Sequence, residues 1–262
     1  MSTAPQPSTE LIGLVSPDEL QHRLGLSTVL AFAAHPDDID FGASATIAAL
    51  SERGVEVTLC LLTAGDAGGF DPGRTAEQTA ELRRREQEEA AAVVGISEVT
   101  LLDERDGFVE PSYELIGSIV RQMRRVRPDA VLSFHPERAW DRLQKSHPDH
   151  LACGEAVVRA CYPAVENPFA YPELAAEGLE PFKIRHLLLM GAPRHLAQTR
   201  VDVTGYQQRK IEALGRHFSQ HRDAEKMVGF VTEQMRQIHA EGGFAEDFHH
   251  VVVNSPETIS GF

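Results

Sequence analysis

Two short motifs carry side chains that are able to do chemistry together. His35-Pro36-Asp37-Asp38 follows an apolar run, and Ser146-His147-Pro148-Asp149-His150 lies far downstream. Imidazole and carboxylate groups suit a zinc ion, and catalytic zinc sites usually use three protein ligands and keep a further position open for water. One His-Pro-Asp stretch alone would be weak support for such a site, but two in one chain are much more specific. The pair of motifs therefore predicts a catalytic zinc centre.

A purely structural interpretation of both motifs stays open. Proline is favoured at the first position of a helix, and Asp caps helix N-termini. Each motif would then be a turn that starts a helix, with Asp149 as a helix cap. The two interpretations are compatible for Asp149, because a capping residue can also contact a catalytic group.

The elements around the motifs place both at one edge of a predicted sheet. Residues 27–34 are predicted to form a fully buried parallel strand that ends at the first motif, with a helix over 39–50 after it. The second motif opens a helical segment at 151–159, and histidines three residues apart at a helix start can face the same way. Ligands of open α/β sheets bind in the crevice at the carboxyl ends of the strands. We therefore expect the two motifs to meet there.

Strand and helix patterns alternate along the rest of the chain. Such alternation, with helices of about ten or more residues, implies right-handed crossovers and a mostly parallel sheet. We therefore expect a Rossmann-like three-layer α/β/α fold with the metal site at the carboxyl ends of the strands. Further strands are predicted at 55–62, 98–103, 130–134 and 186–190, and further helices at 75–94, 112–126, 204–220 and 224–240.

The chain is expected to form one catalytic domain. Residues 1–26 are predicted to be a loosely ordered N-terminal lead-in with one short helix, and residues 27–262 a single α/β domain. A length of 262 residues suits one large domain with a substantial core. The glycine-rich stretch 65–73 lacks the Gly-x-Gly-x-x-Gly order, so no dinucleotide cofactor is expected. It is predicted to be a mobile rim loop or a substrate lid.

Composition argues against several classes of protein. A net charge of −14 disfavours binding to nucleic acid or to an anionic membrane surface. The amino terminus has neither the basic start nor the apolar core of a secretory signal, and no apolar run is long enough to span a bilayer. Cys60, Cys153 and Cys161 are few and widely spaced, which is typical of reduced cysteines and predicts a cytoplasmic protein.

The motifs resemble those of the zinc-dependent de-N-acetylases of the PIG-L/LmbE type. That family carries a His-Pro-Asp-Asp motif near its amino end and a His-Pro-Asp-His motif in the middle, and both stand intact here at 35–38 and 147–150. The resemblance covers about residues 27–250. The weaker supporting matches are Arg83 with Glu86, Asp106-Gly107, Lys210, His217-Phe218-Ser219-Gln220 and Gly243-Phe244-Ala245-Glu246.

This resemblance implies a division of roles among the motif residues. His35, Asp38 and His150 would bind one zinc ion per chain, and other divalent ions could take its place. Asp37 would then be the general base for the attacking water, and His147 the oxyanion stabiliser and general acid. A modest base suffices, because zinc lowers the pKa of its bound water to about 7.

Further roles are predicted for residues around this centre. Asp149 would orient or charge His147. Arg83 is a candidate substrate anchor, since a guanidinium can hold a hydroxyl pair or a phosphate bidentately, although a salt bridge on a charged helix explains it as well. The loop before the second motif supplies the other candidates for the substrate cleft, including an indole that could stack on a sugar ring. These candidates are His135, Arg138 and Trp140.

The expected function is hydrolytic removal of the acetyl group from an N-acetylated amino sugar of the N-acetylglucosamine type, or from its conjugate. The substrate is expected to be uncharged or free of phosphate, in view of the net charge of −14. A related amidase acting on a thiol conjugate or a secondary metabolite is a second candidate. A catalytically silent metal-binding protein is a third, but the presence of Asp37 argues against it. The sequence identifies neither the leaving amine nor the oligomeric state.

Overall fold

The computed structural model describes residues 10–255, and within them eight strands form one sheet. The strands are β1 (Gly13–Val15), β2 (Thr28–Ala33), β3 (Glu56–Thr63), β4 (Glu98–Glu104), β5 (Ala130–Phe134), β6 (His186–Met190), β7 (Thr199–Asp202) and β8 (Ala245–Val252). Their order across the sheet is β1-β7-β8-β6-β5-β2-β3-β4.

Neighbouring strands are parallel except at β8, which pairs antiparallel with both β6 and β7. The central strands β2 and β3 are buried along almost their whole length, as expected of strands covered by helices on both faces. The predicted mostly parallel sheet is therefore confirmed. β7 and β8 were not predicted from the sequence, because polar residues interrupt their apolar positions.

Helices cover the sheet in two groups, as the predicted three-layer α/β/α fold requires. In one group, α3 packs with α1, α4 and α8, and in the other, α5 packs with α6. Within the described residues the α-helices are α1 (Pro17–Leu24), α2 (Asp38–Gly42), α3 (Ser44–Glu52), α4 (Ala76–Val94), α5 (Tyr113–Val126), α6 (Pro148–Arg159), α7 (Pro172–Ala176), α8 (Gln207–Arg216) and α9 (Ala224–His239).

The strand order reverses between β2 and β5. From β2 the chain continues to β3 on one side, and it returns later to β5 on the other side of β2. Such a reversal opens a crevice between the carboxyl ends of the two strands. His35 follows β2, and the second motif runs from the loop after β5 into the first turn of α6, so the topology directs both motifs to this crevice.

The amino-terminal segment is more ordered than the sequence predicts. From residue 10 onward it contributes a strand and a helix, and β1 pairs in parallel with β7. Leu11, Leu20 and Leu24 are only 1%, 0% and 5% exposed, so this part belongs to the core and is not a loose lead-in. Its apolar pattern is too short for burial to be predicted. Residues 1–9 and 256–262 lie outside the described residues.

The helix predicted over 39–50 is divided in two. α2 ends at Gly42 and α3 starts at Ser44, with Ala43 between them in a non-helical conformation. The first piece begins at Asp38 of the first motif, with Asp37 as its N-cap, and the second is buried against the sheet. Among residues 10–255, no helix has both the length and the apolar character that crossing a bilayer requires.

Candidate metal centre

Asp38 lies between two imidazoles beyond the end of β2. Its carboxylate oxygens are 3.3 Å from His35 Nδ1 and 3.0 Å from His150 Nε2. The backbone N–H of His35 donates to the same carboxylate over 2.8 Å, so the turn of the first motif sets its orientation. His147 completes the cluster, since ligand atoms of the three histidines lie within 4.8 Å of one another. The fold therefore brings the two motifs together.

This group of side chains is suited to a divalent cation. Ligand atoms around a tetrahedral ion with bonds of about 2.0–2.2 Å lie roughly 3.3–3.6 Å apart, and the separations around Asp38, 3.0 and 3.3 Å, are near the lower end of that range. Burial alone would lower the pKa of His35, but Asp106 and Asp38 outweigh it and raise that pKa to about 11. The pocket thus favours positive charge, and a metal ion would compete with protons for it.

Asp37 has an unusual backbone conformation that is held from helix α4. Its φ of 86° lies in the left-handed region, which is costly for a residue other than glycine and is often found at functional sites. Gln87 accepts a hydrogen bond from the Asp37 N–H over 2.9 Å. Arg83 donates to the carbonyl oxygen of Pro36 over 2.6 Å and lies 3.6 Å from the Asp37 carboxylate. Two side chains of α4 therefore fix the turn that carries Asp37.

The two adjacent carboxylates have pKa shifts in opposite directions. Burial raises the pKa of Asp37 to about 7, and the negative charge of Asp38 adds to the rise, while Arg83 opposes it. Burial also disfavours the charged form of Asp38, but His150 and His35 outweigh it and hold the pKa of Asp38 well below its usual range. Asp38 is therefore a permanent anion, whereas Asp37 can take up and release a proton near neutral pH.

The surroundings of His147 favour a neutral ring with its proton on Nε2. It is the N-cap of α6, and its Nδ1 accepts a hydrogen bond from the backbone N–H of Asp149 over 3.3 Å. Partial burial lowers the pKa of His147, and the nearby His150 and His35 lower it further. Because Nδ1 acts as an acceptor, the proton of the neutral ring is on Nε2. His147 can therefore donate a hydrogen bond from Nε2.

The carboxylate of Asp149 contacts His35 and not His147, so it is the backbone N–H of Asp149 that orients His147. It lies 3.1 Å from His35 Nε2 and accepts hydrogen bonds from two backbone N–H groups of the loop after β4. Asp106 of that loop is also 3.1 Å from His35 Nε2. The side chain of Asp149 is 1% exposed, because it is buried against this loop. Two carboxylates therefore hold the ring nitrogen of His35 that does not face Asp38.

A glycine lets α6 approach the end of β5 closely. A Cβ atom on Gly154 would lie 2.5 Å from the carbonyl oxygen of Phe134 and 2.9 Å from the backbone nitrogen of Pro136. One turn earlier in α6, the ring of His150 stacks on the Phe134 ring, with a centroid distance of 4.0 Å and an interplanar angle of 8°. The close approach of helix and strand thus sets the position of His150.

A buried polar network lies behind the first motif, and the sequence did not reveal it. Asp40 accepts a hydrogen bond from Gln87 and pairs with His217, both over 2.9 Å. Lys210 and Glu246 form a second buried pair, with 2.6 Å between Nζ and Oε1. In the sequence, these residues showed only as isolated matches to the family pattern. Their pairing could not be predicted, because each pair joins residues that are far apart along the chain. The network fixes α2, α3, α4 and α8 relative to one another.

A cavity of about 320 Å³ opens beside the cluster. Asp38 and His150 lie in its wall, and this volume suits a small-molecule ligand. Apolar side chains make up much of the lining, and three basic side chains also contribute to it. The apolar members include Phe41, Phe134, Met190, Phe230, Met235 and Ile238, and the basic ones are Arg142, Lys145 and Lys210.

The four predicted substrate residues are not among those that line this cavity. Arg83 is 5% exposed and donates to the backbone carbonyl oxygens of Gly65 and Pro36, so it positions the first motif. His135 is buried against His249, with 3.1 Å between ring nitrogens. Trp140 is 81% exposed, with the guanidinium of Arg138 over its ring. The residues of the same loop that do line the cavity are Arg142, Gln144 and Lys145.

Comparison with known proteins identifies relatives of the same kind. The family model described as "PIG-L: GlcNAc-PI de-N-acetylase" matches residues 30–161. A protein of Bacillus anthracis named "Probable N-acetyl-alpha-D-glucosaminyl L-malate deacetylase 2" is 32% identical over 199 residues, which are 73% of this chain and 80% of that protein. The diacetylchitobiose deacetylase of Thermococcus kodakarensis is 30% identical over 192 residues, which are 73% of this chain and 69% of that protein.

A solved structure agrees with these relatives. The N,N'-diacetylchitobiose deacetylase from Pyrococcus horikoshii, crystallised with an inhibitor, superposes with a TM-score of 0.80 at 27% sequence identity, covering 86% of this chain and 84% of that one. The relatives are named as deacetylases, which are hydrolases of N-acetyl amides. The resemblance noted in the two motifs is thereby confirmed. The chain belongs to the PIG-L family of de-N-acetylases.

Proposed function

We propose that this protein is a zinc-dependent hydrolase that removes the acetyl group from an N-acetylated amino sugar or its conjugate. The observation that carries the proposal is the pair of adjacent carboxylates in the first motif. The ionised carboxylate of Asp38 contacts two imidazoles, and burial raises the pKa of the neighbouring Asp37 to about 7. One carboxylate is thus suited to hold a cation, and the other to move a proton.

His35, Asp38 and His150 are the proposed ligands. Both imidazoles are in contact with the Asp38 carboxylate, and two histidines with one carboxylate form a known donor set of catalytic zinc sites. His147 is less suited as a ligand. Its Nδ1 already accepts a backbone hydrogen bond, so in the neutral ring Nε2 carries the proton and has no lone pair for a metal ion. When bound, the ion would supply a Lewis acid and allow water to act as a nucleophile at neutral pH.

The remaining chemistry falls to Asp37 and His147. Asp37 takes the proton of the attacking water as the water oxygen bonds to the acetyl carbon. His147 donates a hydrogen bond from Nε2 to the oxygen that becomes negative. When the carbon–nitrogen bond breaks, the proton held by Asp37 passes to the leaving amine, and acetate is released. The lowered pKa of His147 disfavours a protonated ring, which supports this route over its predicted role as general acid.

The proposal is tested with two neighbouring variants. The purified parent protein should contain zinc; Asp38→Ala should lose it, whereas Asp37→Asn should keep it and still lose activity. General bases contribute typically about 10²–10⁴-fold to rate, so acetate release from N-acetylglucosamine and its conjugates should fall by that factor in Asp37→Asn. Unchanged zinc in Asp38→Ala, or a loss below about tenfold in Asp37→Asn, would contradict the proposal.

The same assay separates the alternative functions. Release of acetate from sugar conjugates supports the deacetylase, and cleavage of a thiol conjugate without acetate release supports the related amidase. A parent protein that binds zinc and cleaves neither would be the silent metal-binding protein. Cys60, Cys153 and Cys161 are free and buried, which fits the cytoplasmic location that stays a prediction.

A further inference from the structure

The cavity beside the cluster is apolar where it meets the proposed metal ligands. Phe134 and Met190 are neighbours across β5 and β6, and the Phe134 ring stacks on that of His150. The Met190 thioether occupies the space that a Cβ atom on Gly42 would take, at the end of the short helix that begins at Asp38. These two apolar side chains therefore lie directly beside the ligands.

Helix α9 supplies the apolar lining farther from the ligands. Phe230, Gln234 and Ile238 follow one another at intervals of four residues, which places them on one face of the helix. Phe230 and Ile238 also line a neighbouring cavity of about 560 Å³, whereas Phe134 and Met190 do not. These four apolar side chains thus form one apolar stretch, which runs from the ligands to the junction of the two cavities.

The basic side chains of the lining are paired or lie at the far end. Lys210 is bound to the Glu246 carboxylate, with 2.6 Å between Nζ and Oε1. Arg142 and Lys145 line both cavities and therefore lie at their junction. A sugar ring in the apolar stretch would lose the hydrogen bonds that its hydroxyl groups make with water, and such a loss is costly. A hydrocarbon chain has no such groups, so it fits this stretch better.

The positions of the catalytic groups indicate which part of the substrate faces the cavity. The reacting carbon of an amide carries an oxygen, a nitrogen and an acyl chain, which point in different directions. In the proposed function the oxygen is directed to His147 and the nitrogen to Asp37, and neither residue lines the cavity. Asp38 and His150 do line it. The direction that remains for the acyl chain is toward the cavity.

We propose that the protein hydrolyses amides of amino sugars whose acyl chain is longer than acetyl, and that the apolar stretch binds this chain. The cavity of about 320 Å³ is within the range of roughly 300–1,000 Å³ that holds a whole small molecule, and the single methyl group of an acetamide would leave most of it empty. Acetamides are then substrates of lower affinity.

The inference rests on the proposed hydrolase function, because the bond that breaks is the same amide bond. The water oxygen bonds to the acyl carbon, the carbon–nitrogen bond breaks, and the proton taken up by Asp37 leaves with the amine. The second product is the carboxylate of the longer chain in place of acetate.

A series of N-acylglucosamines tests the inference. The acyl groups are acetyl, butanoyl and hexanoyl, and the free amine of glucosamine is measured, so that one assay serves all three. Butanoyl and hexanoyl amides have similar intrinsic reactivity, because their additional carbon atoms are distant from the carbonyl group. Each methylene group that becomes buried should raise kcat/KM about fourfold through a lower KM, so hexanoyl should exceed butanoyl by about 15-fold. Acetyl as the best substrate, or equal values for all three, would overturn the inference.

The hexyl glycoside of N-acetylglucosamine is the control for the position of the chain. It carries its alkyl group on the sugar and keeps the acetyl group, and the methyl glycoside is its reference. If the hexyl glycoside gains in kcat/KM and the hexanoyl amide does not, the cavity binds the group attached to the sugar and the inference is overturned.

Variants then assign the effect to the cavity. Phe230→Ser removes a ring that is 59% exposed, so the fold should be retained, and Ile238→Thr places a hydroxyl group on the same face of α9. In both variants the ratio of kcat/KM between the hexanoyl and acetyl amides should fall about fivefold. Phe169→Ser is the matched control, because Phe169 is 85% exposed and lies in the loop after α6, outside the lining of both cavities. A ratio that survives both cavity variants would overturn the inference.

The outcome is separable from that of the proposed function. Release of glucosamine from the acetyl amide alone would overturn the inference and leave the deacetylase standing. If no amide is cleaved, calorimetry with the two product acids decides. Hexanoate that binds more tightly than acetate, with a more negative heat-capacity change, would leave the acyl-chain site standing without the hydrolase. Equal affinities would overturn both.

Discussion

Replacement of Gly154 by alanine tests whether the spacing between α6 and β5 sets the metal centre. The added Cβ would lie 2.5 Å from the carbonyl oxygen of Phe134, 2.9 Å from the nitrogen of Pro136 and 3.1 Å from the carbonyl carbon of His135. All three atoms belong to the backbone, so no change of side-chain rotamer relieves the overlap. The helix must move away from the strand.

The size of that movement follows from the distances. Ordinary contact of a Cβ atom begins at about 3.4 Å, so the closest pair must separate by about 0.9 Å. His150, one turn earlier on the same helix, moves with it relative to Asp38, which is fixed on α2. Overpacking of this kind costs about 1–3 kcal/mol of stability. A misplacement of about 1 Å in a catalytic site can cost roughly 10²-fold in rate.

Zinc content, acetate release and unfolding in urea are the three measurements that check this prediction. Gly154→Ala should bind zinc more weakly, lose about 10²-fold in rate and unfold at lower urea concentration. Gly229→Ala is the matched control, because Gly229 also lies within a helix but an added Cβ meets nothing within 4 Å. That variant should be neutral or gain up to about 1 kcal/mol. If Gly154→Ala keeps the zinc and the rate of the parent protein, the reasoning about helix spacing is wrong.

Two further predictions concern buried groups away from the reacting atoms. Lys210→Met leaves the Glu246 carboxylate, 2% exposed, without its ammonium partner, so urea titration should show a loss of about 3–5 kcal/mol, against almost none for the exposed Lys226→Met. Burial and the neighbouring His186 lower the pKa of His250 from 6.5 to about 3, so the unfolded chain binds more protons than the folded one between these values. The contribution of His250 to the free energy of unfolding is at its full value above about pH 6.5, and it should fall by about 2 kcal/mol by pH 5. His250→Asn keeps an acceptor for the Leu11 N–H and should flatten this dependence, and an unchanged slope would exclude His250 as its source.

Local sequence patterns were enough to predict the centre of the fold. β2, β3 and β5 are continuous apolar runs, and burial on both faces of a parallel sheet requires such runs. The positions of the two motifs followed from the same reasoning, because the first comes directly after a strand of that sheet and the second opens the helix that follows β5. β7 and β8 escaped prediction, since their burial depends on partners that no local pattern reveals.

The candidate side chains of the metal site could be predicted from the sequence alone, since imidazole and carboxylate groups at these spacings are typical of metal binding and proton transfer. Tertiary structure alone decided what each side chain contacts. It placed Asp149 on His35, turned Arg83 toward the backbone of the first motif, and gave the cavity Arg142 and Lys145 in place of Trp140. These contacts join residues that are distant in sequence. Their distances depend on how helices pack on the sheet, which spacing along the chain does not encode.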